Sequence, residues 1–322
     1  MPREKGYVSP LLSNLAVDYS AKVREDMVGP LLFPRVEVGK PSGEYAVYDA
    51  NNVYKVPDVT LAGARSQANE FATSGTMQNY ATTPCGLKAF IDKADLEFQD
   101  GPFKLWERRK TELLITKLEL AQEKRIADLV TNLDGRNTKL SGKGTKVEHK
   151  WSGASDTAGG NPVEAINAAI KKCFFRPNTM VLSEAVYDAL EYHPVLLKYL
   201  GEANLIKKVD EANLAKLFRI NKVIIAKGRA DFGNQSEDKQ VTPESIWGDS
   251  VVLCYVDNKW DAPCGGKTVA VKYREAGNAG YVVRTWEEED GGILGGEYVQ
   301  VAHDVAELIV CKNLIYTIKD VL

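Results

Sequence analysis

The chain has 322 residues, with 41 Lys plus Arg against 44 Asp plus Glu, a formal net charge of −3 and 44% hydrophobic residues. Such a composition fits one large or two medium globular domains and excludes disordered, collagen-like and disulfide-scaffold chains, each of which needs a bias absent here. The near-neutral charge argues against a tight grip on nucleic acid, and the longest apolar run, Val251 to Val256, has six residues where a membrane helix needs about 20.

The opening MPREKGYVSP lacks the apolar stretch of a secretory signal, and the five Cys contain no Cys-x-x-Cys pair. Reduced thiols and a cytosolic home are therefore expected. Residues 1–41 read as an arm with little core of its own: a short helix from Asp18 to Val28, stopped by Gly29 and Pro30, then the extended LLFPRVEV. Residues 42–99 carry Tyr45, Val47, Tyr48, Val53, Tyr54, Val56, Val59 and Leu61. A polar tip, ARSQANEFATSGTMQNYATTP, follows, and then apolar residues from Leu87 to Phe98. This predicts a long two-stranded excursion that nothing in the chain obviously covers.

After Pro102 neither Gly nor Pro recurs until Gly135. Leu114, Ile115, Leu118, Ile126, Leu129 and Leu133 then form an apolar stripe, predicting a spine helix of about 32 residues with Lys110, Lys117 and Lys124 on its wet side. Residues 134–161 read as an irregular or hairpin connection. A mixed α and β unit follows: helices over Pro162–Phe174, Glu184–Tyr192 (capped by Ser183) and Leu214–Phe218, and strands over Thr179–Leu182, Lys222–Ala226 and Val251–Val256. Residues Val299 to Val321 partly alternate and predict paired terminal strands.

Motifs that would carry chemistry fail their contexts. DAPCGGKT, Asp261 to Thr268, ends in the Gly-Lys-Thr of a phosphate loop, but Asp261 stands where Gly is required and the following VAVKYR reads as a strand rather than a helix. A strand-to-strand turn is expected there, and Gly291, Gly292, Gly295 and Gly296 read as turn or hinge glycines. His149, His193 and His303 fall in no metal-ligand spacing, and no Gly-x-Ser-x-Gly elbow occurs. Catalytic, cofactor-binding and metal residues are accordingly assigned to none. The acidic run Glu287 to Asp290 reads as a solvated loop, or a partner for a cation or a basic patch on a neighbour. Arg108, Arg109 and Lys110 read as the flank and wet face of the spine helix.

FPRVEVGKPSGEYAVYD (Phe33 to Asp49) after a short arm, the excursion, the spine helix, RPNTMVLSEAVYDALEYHPVLLKYL (Arg176 to Leu200) and the closing strands together resemble tailed-bacteriophage major capsid proteins of the Hong Kong 97 type. The resemblance implies an α+β phage capsid fold. Its parts would be an N-terminal arm (1–42), an extended loop (43–95), a peripheral domain with the long spine helix (96–160), an axial α/β domain (161–297) and C-terminal strands returning to the peripheral domain (298–322). It implies a structural, non-enzymatic subunit that self-assembles as hexamers and pentamers into an icosahedral shell around double-stranded DNA, without cofactor or membrane. Scaffolding, portal and decoration proteins would be its further partners, the virion capsid its location and the host cytoplasm its place of assembly. An arm and loop without intrachain cover fit this reading, because obligate interfaces commonly bury roughly 2,000 Å² or more and many modest contacts hold a closed shell. The weak net charge fits as well, since a wall that gripped DNA would hinder its packing and release. An encapsulin-like protein compartment is the nearest alternative, and a nucleotide-using enzyme, resting on DAPCGGKT alone, is the rival from another class.

Overall fold

A computed structural model of the chain describes residues 7–25, 27–47, 56, 58–60, 67, 69, 76–94, 105–140, 150–151, 160–200, 208–232, 242–259, 262–274, 280–289 and 294–322. The arm opens with a two-residue strand, β1 (Tyr7–Val8), and a helix, α1 (Pro10–Glu25). This helix starts at Pro10 rather than at Asp18, because Pro presets φ for a first turn and Ser9 caps it. Ser9 Oγ accepts from Leu12 N at 3.4 Å, and its carbonyl accepts from Ser13. Gly29 and Pro30, expected as a stop, instead begin a second short helix, α2 (Gly29–Leu32). The arm lends side chains to the cores of the body: Ala16, Val28, Leu32 and Phe33 are buried there.

Strand β2 (Arg35–Val38) leads to β3 (Ser42–Val47), which pairs antiparallel with β4 (Thr76–Ala81) from Ser42↔Ala81 to Val47↔Thr76. This pair is the base of the expected excursion; most of its outer part and tip, residues 48–75, lies outside the described residues. The returning limb, β5 (Thr83–Asp92), does not stand open. It pairs over its whole length with a strand near the C-terminus, Gly296–Ile309, which supplies the ladder partners its backbone needs, and Ile91 is buried there.

The spine helix, α3, runs Leu105–Thr131, about 40 Å at ~1.5 Å per residue, with Gly101–Lys104 outside the described residues. Leu114, Ile115, Leu118, Ile126 and Leu133 are buried and Leu129 is partly so, while Lys117 and Asp128 are exposed. Within the expected irregular connection lies a short strand, β6 (Asn137–Lys139). Helix α4 (Pro162–Lys171) follows, its first turn capped by Asn161 Oδ1, which accepts from Val163 N at 3.1 Å and Glu164 N at 3.3 Å. Next come β7 (Thr179–Ser183), α5 (Glu184–Glu191), α6 (Pro194–Leu200), α7 (Glu211–Phe218), β8 (Lys222–Ala226), β9 (Arg229–Ala230), β10 (Glu244–Ser245) and β11 (Val251–Cys254). Ser183 occupies the N-cap position of α5, but its side chain makes no cap bond, being held as the last residue of β7 opposite Ala226. The chain closes with β12 (Gly266–Val271), β13 (Val282–Glu288), β14 (Gly296–Ile309) and β15 (Ile315–Lys319).

Two main sheets result. One has the order β6-β15-β11-β7-β8; the other runs β1-β13-β14-β12-β2, with β5 also on β14. The terminal strands β14 and β15 therefore do not pair with each other as expected. A 3-10 turn at Lys312–Leu314 carries the chain from one sheet to the other.

The five-stranded sheet is covered on both faces, which is why its central strands are continuous apolar runs. Met180, Leu182, Val251 and Leu253 face a core with Ile166 and Ile170 of α4, whereas Val181, Val252 and Cys254 face Ile126 and Val130 of α3. The first half of α3 packs with Ala16 of α1 against Val283, Val299 and Val301 of the six-stranded sheet. The spine helix thus joins both layers.

Candidate assembly surfaces and the arm anchor

Strands β3 and β4 form a two-stranded sheet of their own, and such ribbons are marginal in isolation. Exposure alternates along β3, with Gly43, Tyr45 and Val47 half-buried and the residues between them exposed. On β4 only Tyr80 is buried, and Met77 stays 56% exposed. Thr82 N donates to Pro41 O at 2.8 Å where the two strands meet the body, and Tyr45 Oη donates to Gln78 Oε1 at 3.0 Å. A cleft of about 500 Å³, lined by Tyr45, Val47, Gln78, Leu129, Leu308 and Lys312 among others, separates the ribbon from the spine helix and β14. Further large apolar side chains lie open on the arm (Tyr7, Leu11), the spine helix (Leu113) and around α5 and α6 (Tyr192, Tyr199).

The arm is anchored by polar groups that the spine helix turns inward. Glu119 Oε1 accepts from Arg24 Nε at 2.9 Å and Nη2 at 2.6 Å, and also from Tyr281 Oη. One turn on, Glu123 Oε1 accepts from Val28 N at 3.1 Å and Trp247 Nε1 at 2.6 Å, while its Oε2 accepts from Gly29 N at 2.6 Å. The Glu123 carboxylate thereby satisfies N–H groups at the start of α2, where a negative charge also meets the positive end of the helix. Burial pushes the Glu123 pKa above the ordinary carboxylate value against the pull of these donors.

The guanidiniums of Arg24 and Arg35 lie 5.7 and 5.6 Å from the Tyr281 ring centre, which stacks on His303 at 4.9 Å. Burial, with Arg35, Arg125 and Arg24 adding repulsion, lowers the His303 pKa from 6.5 to about 3. His303 is therefore neutral when folded, whereas the unfolded chain takes up a proton below about pH 6.5. Stability contributed by this group is full above pH 6.5 and drains as pH falls toward 3. Acidification from pH 6.5 to pH 4 should cost the subunit about 3 kcal/mol through His303. Chemical denaturation at the two pH values checks this, with His303→Phe expected to flatten the difference; an equal loss in that variant would place the acid sensitivity elsewhere.

The chemistry-bearing motifs fall into packing roles. Lys267 and Thr268 are buried within β12, and Lys267 Nζ donates to the carbonyl of Lys259. A Cβ on Gly266 would stand 2.2 Å from the Phe33 ring, so this glycine admits the arm's aromatic anchor. Gly295 has φ +77 and turns the chain into β14. His193 is buried between α5 and α6 and His303 within β14, and His149 lies outside the described residues. Arg108 and Arg109 are exposed on α3, with Arg108 paired to Glu112 at 2.9 Å. Lys124 pairs with Asp128 at 2.7 Å. The five Cys are free thiols, four of them buried.

No family model matches the chain. Over 314 residues it is 26% identical to the major capsid protein of Pseudomonas phage JBD67, covering 95% of this chain and 94% of that one. Over 265 residues it is 28% identical to the major capsid protein of Burkholderia phage BcepMu, covering 77% and 76%. Among solved structures it superposes on a phage-related protein of Bordetella bronchiseptica RB50 with a TM-score of 0.69, at 19% identity over 99% of this chain and 98% of that one. The capsid protein of cyanophage P-SCSP1u gives 0.53, at 9% identity over 89% and 86%. The fold is the phage capsid fold. The same fold extends to the SrpI encapsulin of Synechococcus elongatus PCC 7942, with a TM-score of 0.52 at 8% identity over 89% and 85%.

Proposed function

We infer that this chain is a structural shell subunit, a major capsid protein of the Hong Kong 97 type. The observation that carries the reading is likeness to two phage major capsid proteins over 95% and 77% of the chain, on a subunit whose ribbon and arm leave apolar side chains open. Its parts take the roles of arm (1–42), extended loop (43–95), peripheral region with the spine helix (96–160 and 298–322) and axial region (161–297). The sheets exchange strands between the last two: β15 stands with β7, β8 and β11, and β12 and β13 stand with β14. Copies assemble as hexamers and pentamers into an icosahedral shell around double-stranded DNA, in the host cytoplasm, with scaffolding, portal and decoration proteins as further partners. The subunit carries no catalysis; its free energy goes into contacts.

The encapsulin fold is a second reading supported by structural likeness alone, and contents separate the two. Particles isolated from infected or induced cells are expected to hold DNA, read by their ultraviolet absorbance ratio and nuclease-protected nucleic acid. Particles filled with one enzyme and free of DNA would favour the compartment.

A further inference from the structure

Helix α1 meets the body through a face of small side chains. Those it buries are Ser13, Ala16 and Ser20, while Leu11 is 79% and Val17 37% exposed. The hydroxyls of both serines donate within the arm itself, Ser13 to the Ser9 carbonyl and Ser20 to the Val17 carbonyl, each at 2.8 Å. Burying so little apolar surface contributes little stability, and a segment of this kind belongs to the part of a fold that opens first. Among the described residues its ionic hold on the body is Arg24, in its last turn, on Glu119 of the spine helix.

Undocking α1 would take Arg24 away from Glu119, and a buried carboxylate stripped of its cation is strongly destabilising. Glu123, also buried one turn on, adds a second negative charge nearby. A spare cation stands beside the pair. Arg35 of β2 lies 5.6 Å from the centre of the Tyr281 ring that Arg24 approaches at 5.7 Å, and the Tyr281 hydroxyl bonds to Glu119. Burial and then the charge of Arg24 pull the Arg35 pKa down, while Tyr281 and Glu119 pull it up, so this guanidinium sits in the field of both members of the pair. Its Nη2 meets the Gly280 carbonyl at 3.5 Å, the outer limit of a hydrogen bond. Its Nε and Nη1 are buried without a hydrogen-bond partner, and so is Glu119 Oε2. Arg35 also belongs to the part that stays, because Glu123 fixes Val28 N and Gly29 N between it and α1.

We propose that Arg35 is the reserve partner of Glu119: when α1 undocks and Arg24 leaves with it, the Arg35 guanidinium turns onto Glu119 Oε2, so that the buried carboxylate keeps a cation while α2 and the spine hold their places. The inference concerns the subunit alone and stands whether or not the chain builds shells.

Native-state hydrogen exchange tests it, on the full chain kept unassembled at low concentration, comparing amides of α1 with those of α3. In the parent α1 should exchange faster than α3. Arg35→Met removes the reserve cation and should slow α1 exchange by about tenfold, opposite in direction to the loss of a packing group, with α3 unchanged. Arg35→Lys, which keeps the charge, should stay within about threefold of the parent. Arg24→Met should speed α1 exchange by about tenfold and leave α3 protected, whereas Arg24→Met with Arg35→Met should expose α3 as well, because Glu119 then has no cation in either state. Relief of the repulsion between the two arginines would by itself slow α1 in Arg35→Met, but it would leave the doubly substituted chain as well protected as Arg24→Met, and that result overturns the reserve role. Unchanged or faster α1 exchange in Arg35→Met, failure of that chain to fold, or Arg35→Lys as slow as Arg35→Met overturns it too. Exchange of α1 and α3 together in the parent would mean that α1 does not open on its own, and the proposal falls.

Discussion

Replacing residues 48–75 by an Asn-Gly turn is expected to leave a folded subunit that no longer builds shells. Val47 and Thr76 are direct partners at the last rung of the β3–β4 ladder, so a two-residue turn can close the hairpin there without changing register. Among the described residues of this segment Val56 and Val59 are 82% and 78% exposed, and none of those described joins a buried cluster. Its removal should therefore move the melting temperature by no more than about 3 °C. Leu118→Asp is the contrasting variant. Leu118 is 4% exposed and packs with Ile115, Val283 and Val299, so a buried carboxylate there costs about 4 kcal/mol or more, roughly 10 °C or outright aggregation. Melting curves and particle counts on both variants check the pair. If the excision destabilised the subunit as much as Leu118→Asp, the segment would belong to a core; if it assembled at parental yield, the loop would have no part in shell contacts.

The second large effect is expected at Glu123. Glu123→Ala strips the acceptor from Val28 N, Gly29 N and Trp247 Nε1, all at a site 2% exposed. An unsatisfied buried donor costs ~1–3 kcal/mol, so about 4 kcal/mol of stability should go with the three together. Glu123→Gln keeps one oxygen for the Val28 and Trp247 donors and loses only the partner of Gly29, so it should cost about half as much. Denaturant titration of unassembled subunit reads both losses. Limited proteolysis within residues 7–32 should follow the same order, because those contacts tie the arm to the spine. Equal stability of parent and Glu123→Ala would mean that the arm is held by its apolar side chains alone.

Much of the fold was legible where one physical signal dominated locally. The spine helix announced itself by an uninterrupted run of helix formers with a stripe through Leu114, Ile115 and Leu118. Strands β7, β8 and β11 announced themselves as short apolar runs, because a sheet buried on both faces leaves no polar alternation to confuse. The arm anchor was not legible as such, since Glu119 and Glu123 sit among the Lys and Glu of an ordinary wet helix face. A signal was nevertheless present: Ile115, Glu119, Gln122 and Ile126 share the 3–4 spacing of one face, so the polar residues interrupt the buried stripe itself. The pairing of β5 with β14 and the separation of β14 from β15 were also invisible, because they join segments some 200 residues apart or depend on the Lys312–Leu314 turn. Gly265–Gly266 next to Lys267 imitated a phosphate loop; only the Phe33 ring packed on Gly266 explains the glycine.

The most direct test is to express the whole chain alone, purify it and follow it by sedimentation velocity and electron microscopy across concentration and salt. The account predicts closed particles or ring-shaped capsomers, their fraction rising with concentration. A single monomeric species at every concentration and salt, with no particles on the grid, would contradict it.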